Sequence, residues 1–125
     1  MKDYNIKVLD EDDHTFIETL TDVGMPRTVA TTMAYLMTVD KAASREIELS
    51  TGLRQPEVSL AMTLMRKQAW ISTSSEKKVG KGRPTKIYSL AAPIDEILNH
   101  YEDKIYRDSQ ATAMAIEKIR KISKK

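Results

Sequence analysis

The chain contains no cysteine. That excludes disulfides, a cysteine nucleophile and thiolate metal sites. It has no apolar run approaching the ~18 residues of a membrane span, so no membrane association is expected. The opening residues, MKDYNIKVLDEDD, are acidic and lack an apolar core, unlike a secretory leader, and a cytoplasmic location is expected. No nucleophile elbow, phosphate-loop glycine pattern or HExxH pair occurs. The only histidines, His14 and His100, lie far apart. A zinc site needs about four ligands, which carboxylates would have to complete. The acids Asp10, Glu11, Asp12 and Asp13 read as a solvated helix cap. The seven methionines read as core filler rather than soft metal ligands. No internal repeat is evident. No catalytic residue, metal or cofactor is expected, and the chain reads as a binding protein rather than an enzyme.

What the chain does have is an uneven charge distribution. Its 125 residues fit one domain with one modest core, and its net charge of +2 hides three regions. Residues 1–53 hold five Lys/Arg against ten Asp/Glu, a net of −5. Residues 54–86 hold eight against two, a net of +6, and residues 87–125 hold seven against six, a net of +1. A concentrated basic segment in an otherwise acidic or balanced chain is what a phosphate-binding surface needs. Its bland alternative is a solvated loop.

Punctuation and periodicity supply the elements. Asp12 or Asp13 can cap a first helix whose apolar face is Phe16, Ile17 and Leu20, ended by Gly24. Pro26 suits a first helical position, and Val29, Met33, Leu36 and Met37 form one buried face of a second helix. Ser44 is a credible N-cap for a third helix, with Glu46 near its positive end and Ile47 inward. Gly52 should end it in a left-handed conformation, with Leu53 plugging the turn. Gln55-Pro56 opens a fourth helix with Val58, Met62 and Met65 inward, ending at Gln68-Ala69. Trp70 to Thr73 reads as a strand, Glu76 to Pro84 as a Gly- and Lys-rich loop, and Thr85 to Leu90 as a half-buried strand. Trp70 and Tyr88 should pack between this hairpin and the helices. Pro93 opens a last helix running to about Ile122.

Two short helices joined by Gly-Leu, then a strand, a basic loop and a strand, outline a winged helix-turn-helix. The fold class expected is mainly α with a small β-hairpin wing and a long C-terminal helix. Helix 55–67 would enter the major groove of double-stranded DNA, first turns nearest the bases. Its outer face carries Gln55, Pro56, Ser59, Leu60 and Thr63. Gln55 suits a bidentate contact with adenine, and Ser59 and Thr63 suit bases or phosphates. Leu60 can touch a thymine methyl or turn into the core; its direction stays open. Glu57 can cap the helix or accept from a cytosine amino group. Arg54, Arg66 and Lys67 read as backbone clamps. The wing, 74–86, offers Lys77, Lys78, Lys81, Arg83 and Lys86 to the backbone or minor groove. Gly80 and Gly82 permit close approach, and Pro84 stiffens the exit.

The segments Ser-Arg-Glu-Ile-Glu from Ser44, Gly-Leu-Arg-Gln-Pro-Glu-Val-Ser from Gly52 and Gly-Lys-Gly-Arg-Pro-Thr-Lys-Ile-Tyr-Ser-Leu from Gly80 carry a resemblance. Ser44 to Leu90 resembles archaeal winged helix-turn-helix transcriptional regulators grouped loosely with the ArsR, MarR and TrmB-like families. The resemblance implies DNA contact at Gln55, Pro56 and Ser59, and backbone or minor-groove contact at Lys81 and Arg83. It departs at Ala69, where such families often have glycine, and at Leu60, where they often have a basic or polar residue. The cysteines of metal-sensing relatives are missing.

The expected organisation is a DNA-binding domain over 1–92 and a helix over 93–125. That helix spans roughly 45 Å at ~1.5 Å per residue, too long for a core of this size. Ile94, Leu98, Tyr101, Ile105, Thr112, Ile116 and Ile119 recur near a 3.5-residue spacing, interrupted by Asp108 and Ser109. The pattern suits a homodimer through this helix, with packing onto its own domain as the alternative. Tyr35, Tyr101 and Tyr106 can line a ligand pocket or pack at an interface. The sequence identifies no small-molecule effector. The function expected is a homodimeric, sequence-specific DNA-binding transcriptional regulator. Its rivals are a winged-helix protein-interaction module and a nonspecific architectural DNA binder.

Overall fold

The computed structural model describes residues 6–76 and 85–124. Helix α1 (Glu11–Val23) starts two or three residues earlier than the expected cap at Asp12 or Asp13 would place it. Asp10 is its N-cap, accepting from the Asp13 N–H at 2.8 Å, while Asp13 accepts from the Asp10 N–H at 2.9 Å. This reciprocal pair satisfies two otherwise orphaned donors, so the cap is best set three residues before an acceptor side chain. Ile17 and Leu20 are buried, and Phe16 is half-buried. The helix ends at Gly24, whose φ of 113° favours glycine. The Met25 N–H reaches the Leu20 carbonyl and the Gly24 N–H reaches that of Thr21.

Helix α2 (Arg27–Thr38) is capped by Pro26, one position before the first-turn place expected of it. It is the centre of the core: Val29, Ala30, Met33, Tyr35 and Leu36 are all at most 2% exposed. Met37, expected on that face, is 45% exposed, although Tyr35 and Leu36 in the same last turn are buried. Helix α2 contacts α1, α3 (Ser44–Thr51) and α4 (Gln55–Lys67).

The N-cap of α3 is Ala43 rather than Ser44, and the Glu46 carboxylate accepts from the Ala43 N–H at 2.9 Å. Gly52 ends α3 with φ 80°, as expected, and its N–H bonds the Glu48 carbonyl. Leu53 is half-buried beside it. Helix α4 buries Val58, Ala61, Met62 and Met65. Each larger side chain contributes at most about 1.5–3 kcal/mol on burial, enough to fix the helix's rotation.

The sheet has three strands, one more than expected. β1 (Ala42–Ala43) was too short to leave a periodic signal. It pairs antiparallel with β3 (Thr85–Leu90), which also pairs with β2 (Ile71–Glu76), so β3 is central. Strand β2 starts after Trp70 and extends to Glu76, longer than the Trp70–Thr73 strand expected, because its last residues pair with Lys86 and Thr85. Trp70, itself buried, accepts from the Ala91 N–H at 2.8 Å and closes the open end of the hairpin.

The chain divides into two compact units, Met1–Ala92 and Pro93–Lys125. The first is a winged helix-turn-helix: α3 and α4 joined at Gly52, followed by the β2–β3 hairpin. The second is α5 (Ile94–Ser123), capped by Pro93. Ile97 and Tyr101 are buried, whereas Leu98, placed on the seam by its spacing, is 38% exposed. From Glu102 to Lys124 every residue is exposed, including Ile105, Tyr106, Ile116, Ile119 and Ile122. No helix among the described residues is long and apolar enough to cross a membrane.

Candidate nucleic-acid interface

The inward packing of Val58, Ala61, Met62 and Met65 sends the rest of α4 outward. Gln55, Pro56, Ser59, Leu60 and Thr63 are all exposed, together with Arg54, Arg66 and Lys67. Leu60 is 56% exposed, so it is not a core residue. Leu64, one turn on, is also partly exposed at 37%. The Thr63 hydroxyl donates to the Ser59 carbonyl at 3.0 Å, leaving its lone pairs as acceptors.

Glu57 is committed. Its carboxylate accepts from the Arg54 N–H at 2.9 Å and closes the first turn of α4. Of the two uses open to Glu57, capping is the one the geometry realises. Glu76, the other acid of the basic segment, pairs with Lys41 just beyond α2. The hydrogen bond from Lys41 to Glu76, and the negative charge behind it, raise the Lys41 pKa above its ordinary value. Both carboxylates within 54–86 are therefore engaged, one by a backbone donor and one by a cation. Arg54, Arg66, Lys67 and Lys86 are exposed, and no uncommitted acid lies on the outer face of α4. Arg66 and Lys67 also lie in the last turn, where cations complement the helix dipole.

Lys86 is exposed on β3. Lys77, Lys78, Lys81 and Arg83, predicted at the wing tip, lie outside the described residues. An open cleft of about 150 Å³ runs between α4 and β3. Gln55, Ser59, Thr63 and Arg66 form one wall, and Lys86 and Tyr88 the other, with Ser44 of α3 at its end. The structure thus gathers five residues predicted separately and adds Ser44 and Tyr88. Tyr88 had been assigned to packing alone, and it is indeed buried. The signal that pairs it with Lys86 is the two-residue period of a strand, which puts positions 86 and 88 on one face.

The turn out of α4 departs from the common pattern at Ala69. The Trp70 N–H reaches the Met65 carbonyl and the Ala69 N–H that of Arg66, the same motif that ends α1. Here alanine rather than glycine takes the left-handed position, at φ 61°.

Helix-turn-helix, hairpin wing and long C-terminal helix together define the fold found in winged-helix regulators, as the sequence resemblance implied. No sequence-family model and no curated protein matches the chain. Solved structures do match in fold. A possible transcriptional regulator from Methanosarcina mazei Go1 superposes with a TM-score of 0.61 at 11% identity, over 91% of this chain and 98% of that one. TrmBL2, an archaeal chromatin protein that shows a novel mode of DNA binding, gives 0.60 at 14% identity over 89% of this chain; this chain spans 42% of its length. A further transcriptional regulator gives 0.51 at 15% identity, over 89% and 76% of the two chains.

Proposed function

We propose that the chain is a homodimeric, sequence-specific regulator of transcription that binds double-stranded DNA, without enzymatic activity. The observation that carries this reading is the outer face of α4: an exposed row of Gln55, Pro56, Ser59, Leu60 and Thr63, flanked by Arg54, Arg66 and Lys67 and free of any uncommitted acid. The row enters the major groove, and residues 74–86 follow the backbone or the adjacent minor groove. The fold likeness to regulators and to a DNA-binding chromatin protein supports the same reading. The exposed isoleucines of α5 support a two-helix dimer, since an apolar stripe on a helix with nothing over it is stabilised by a second copy.

Anisotropy titration of the full chain against random and selected duplexes tests the reading. Binding should be selective, and weaken with salt at a log–log slope of about −0.9 per neutralised phosphate. The selected site should be a pseudo-palindrome with half-sites about 34 Å apart, or a multiple. Ile119→Asp should shift the sedimenting species from dimer to monomer. A second reading, a nonspecific architectural binder, is favoured by the apolar Leu60 at the middle of the reading face. It predicts equal affinity for all duplexes.

A further inference from the structure

The cleft between α4 and β3 gathers cations and hydroxyls that have no hydrogen-bond or ion-pair partner among the described residues. Tyr88 is 8% exposed, yet its hydroxyl has no hydrogen-bond partner among the described residues. Its ring is buried, while the hydroxyl lies at the open cleft and is not among the buried polar atoms left without a partner. The cleft wall is polar almost throughout, so the part of Tyr88 that meets it is the hydroxyl. Arg66 and Lys86 line the same cleft, and neither has an ion-pair partner among the described residues. The Ser44 and Ser59 hydroxyls are uncommitted there too. Among the described residues, no carboxylate lines the cleft.

Two cations converging on one cleft, with no anion between them, repel one another until an oxyanion sits there. Arginine and lysine are donor-only, and serine and tyrosine hydroxyls turn to donate. Such a set suits a group that only accepts, a phosphate, better than a base edge that presents donors and acceptors together. The cleft, at about 150 Å³, has room for one tetrahedral oxyanion. The seat is also preorganised. Tyr88 lies on the central strand, paired with Ala42 on one side and Thr73 on the other. The buried Met62 and Met65 fix the rotation of α4, and with it the side of the helix from which Arg66 projects.

We propose that this cleft seats a single phosphate of the DNA backbone, shared by Arg66 and Lys86 and hydrogen-bonded by the Tyr88 hydroxyl. The proposal rests on the DNA-binding reading and gives it a register: the phosphate anchors the end of α4 that carries Arg66, about 16 Å along the helix from Gln55, and so sets how the helix lies in the groove.

The test measures duplex affinity across salt for the full chain, with Arg66→Gln, Lys86→Gln, the double variant and Tyr88→Phe. Because both cations hold one phosphate, the double variant should flatten the log–log slope by about 0.9 in total, not about 1.8. In a duplex series with one methylphosphonate at a time, just one of the sensitive positions per half-site should become insensitive in the double variant. Tyr88→Phe keeps the ring in place, so its melting temperature should hold while affinity falls about three- to tenfold on every duplex. Additive slopes, with two positions per half-site losing sensitivity in the double variant, would overturn the shared seat. So would wild-type affinity for Tyr88→Phe, or losses that depend on base sequence, which would mark a base-reading cleft. If the wild-type chain bound no duplex at low salt, the DNA-binding reading itself would fall and the seat with it.

Discussion

Leu60 is the position where folding and recognition separate most cleanly. At 56% exposure, less than half of its side chain is covered. Full burial of a leucine contributes about 1.5–3 kcal/mol, so Leu60→Ala should cost under about 1 kcal/mol of folding stability and shift the melting temperature by a few degrees. Recognition should respond more selectively. If Leu60 covers a thymine methyl, the contact removes about one methyl group from water, worth about 0.8 kcal/mol or roughly fourfold in affinity. The assay is a double cycle. Each thymine of the selected site is replaced in turn by uracil, which removes only that methyl, and the duplexes are titrated with wild type and Leu60→Ala. The wild type should lose about fourfold at one position per half-site, and Leu60→Ala should lose nothing further there. Equal loss in both proteins at every position would refute the contact. A folding loss above about 2 kcal/mol would refute the exposed placement.

Three further outcomes follow from the fold. The Thr32 hydroxyl is fully buried with no hydrogen-bond partner among the described residues, so Thr32→Val should raise stability by about 1–2 kcal/mol in a denaturant titration; a loss would reveal a hidden partner. At Ala69, glycine relieves a left-handed alanine that costs about 1–2 kcal/mol, offset by about 0.4–1 kcal/mol of unfolded-state entropy. Ala69→Gly should therefore melt at the same temperature or a few degrees higher, and the β-branched Ala69→Val clearly lower; the reverse order would contradict the assigned turn. The Asp10 carboxyl is held below its ordinary value of 3.8, first by the Asp13 N–H, so its stabilisation is full above that value and is lost as pH falls through the lowered one. Asp10→Asn keeps an acceptor that does not titrate, so the gap between the melting temperatures of wild type and variant should change as acid is added below pH 3.8. A constant gap would show that Asp10 is not the titrating cap.

Much of this was legible because helices announce themselves. Val58, Met62 and Met65 recur at helical spacing, and that spacing alone oriented α4. Gly24 and Gly52 marked ends that need positive φ. Strand β1 was not legible, since two alanines have no periodicity and pair only because β3 presents a free edge. The caps slipped because the decisive groups sit three residues on: Asp13 selects Asp10, and Glu46 selects Ala43. Leu60 lay at the border of the apolar arc, where only the neighbours of α4 decide direction. The cleft was half legible: Gln55, Ser59, Thr63, Arg66 and Lys86 were named for DNA contact separately. Bringing them to one place with Ser44 and Tyr88 needed the tertiary contact between α4 and β3.

The hairpin ladder has a consequence for how such a chain can be re-engineered. Glu76 and Thr85 face each other as its last pair among the described residues, and Lys41 clasps Glu76 from outside the hairpin. The described part of the sheet therefore ends at a latched pair, Glu76 and Thr85. Segments of other lengths and sequences can be grafted between Glu76 and Thr85 without shifting the register of β3 or the helix beside it. The tip becomes an interchangeable cartridge, and a library built there alone would vary what the hairpin grips on one constant reading head.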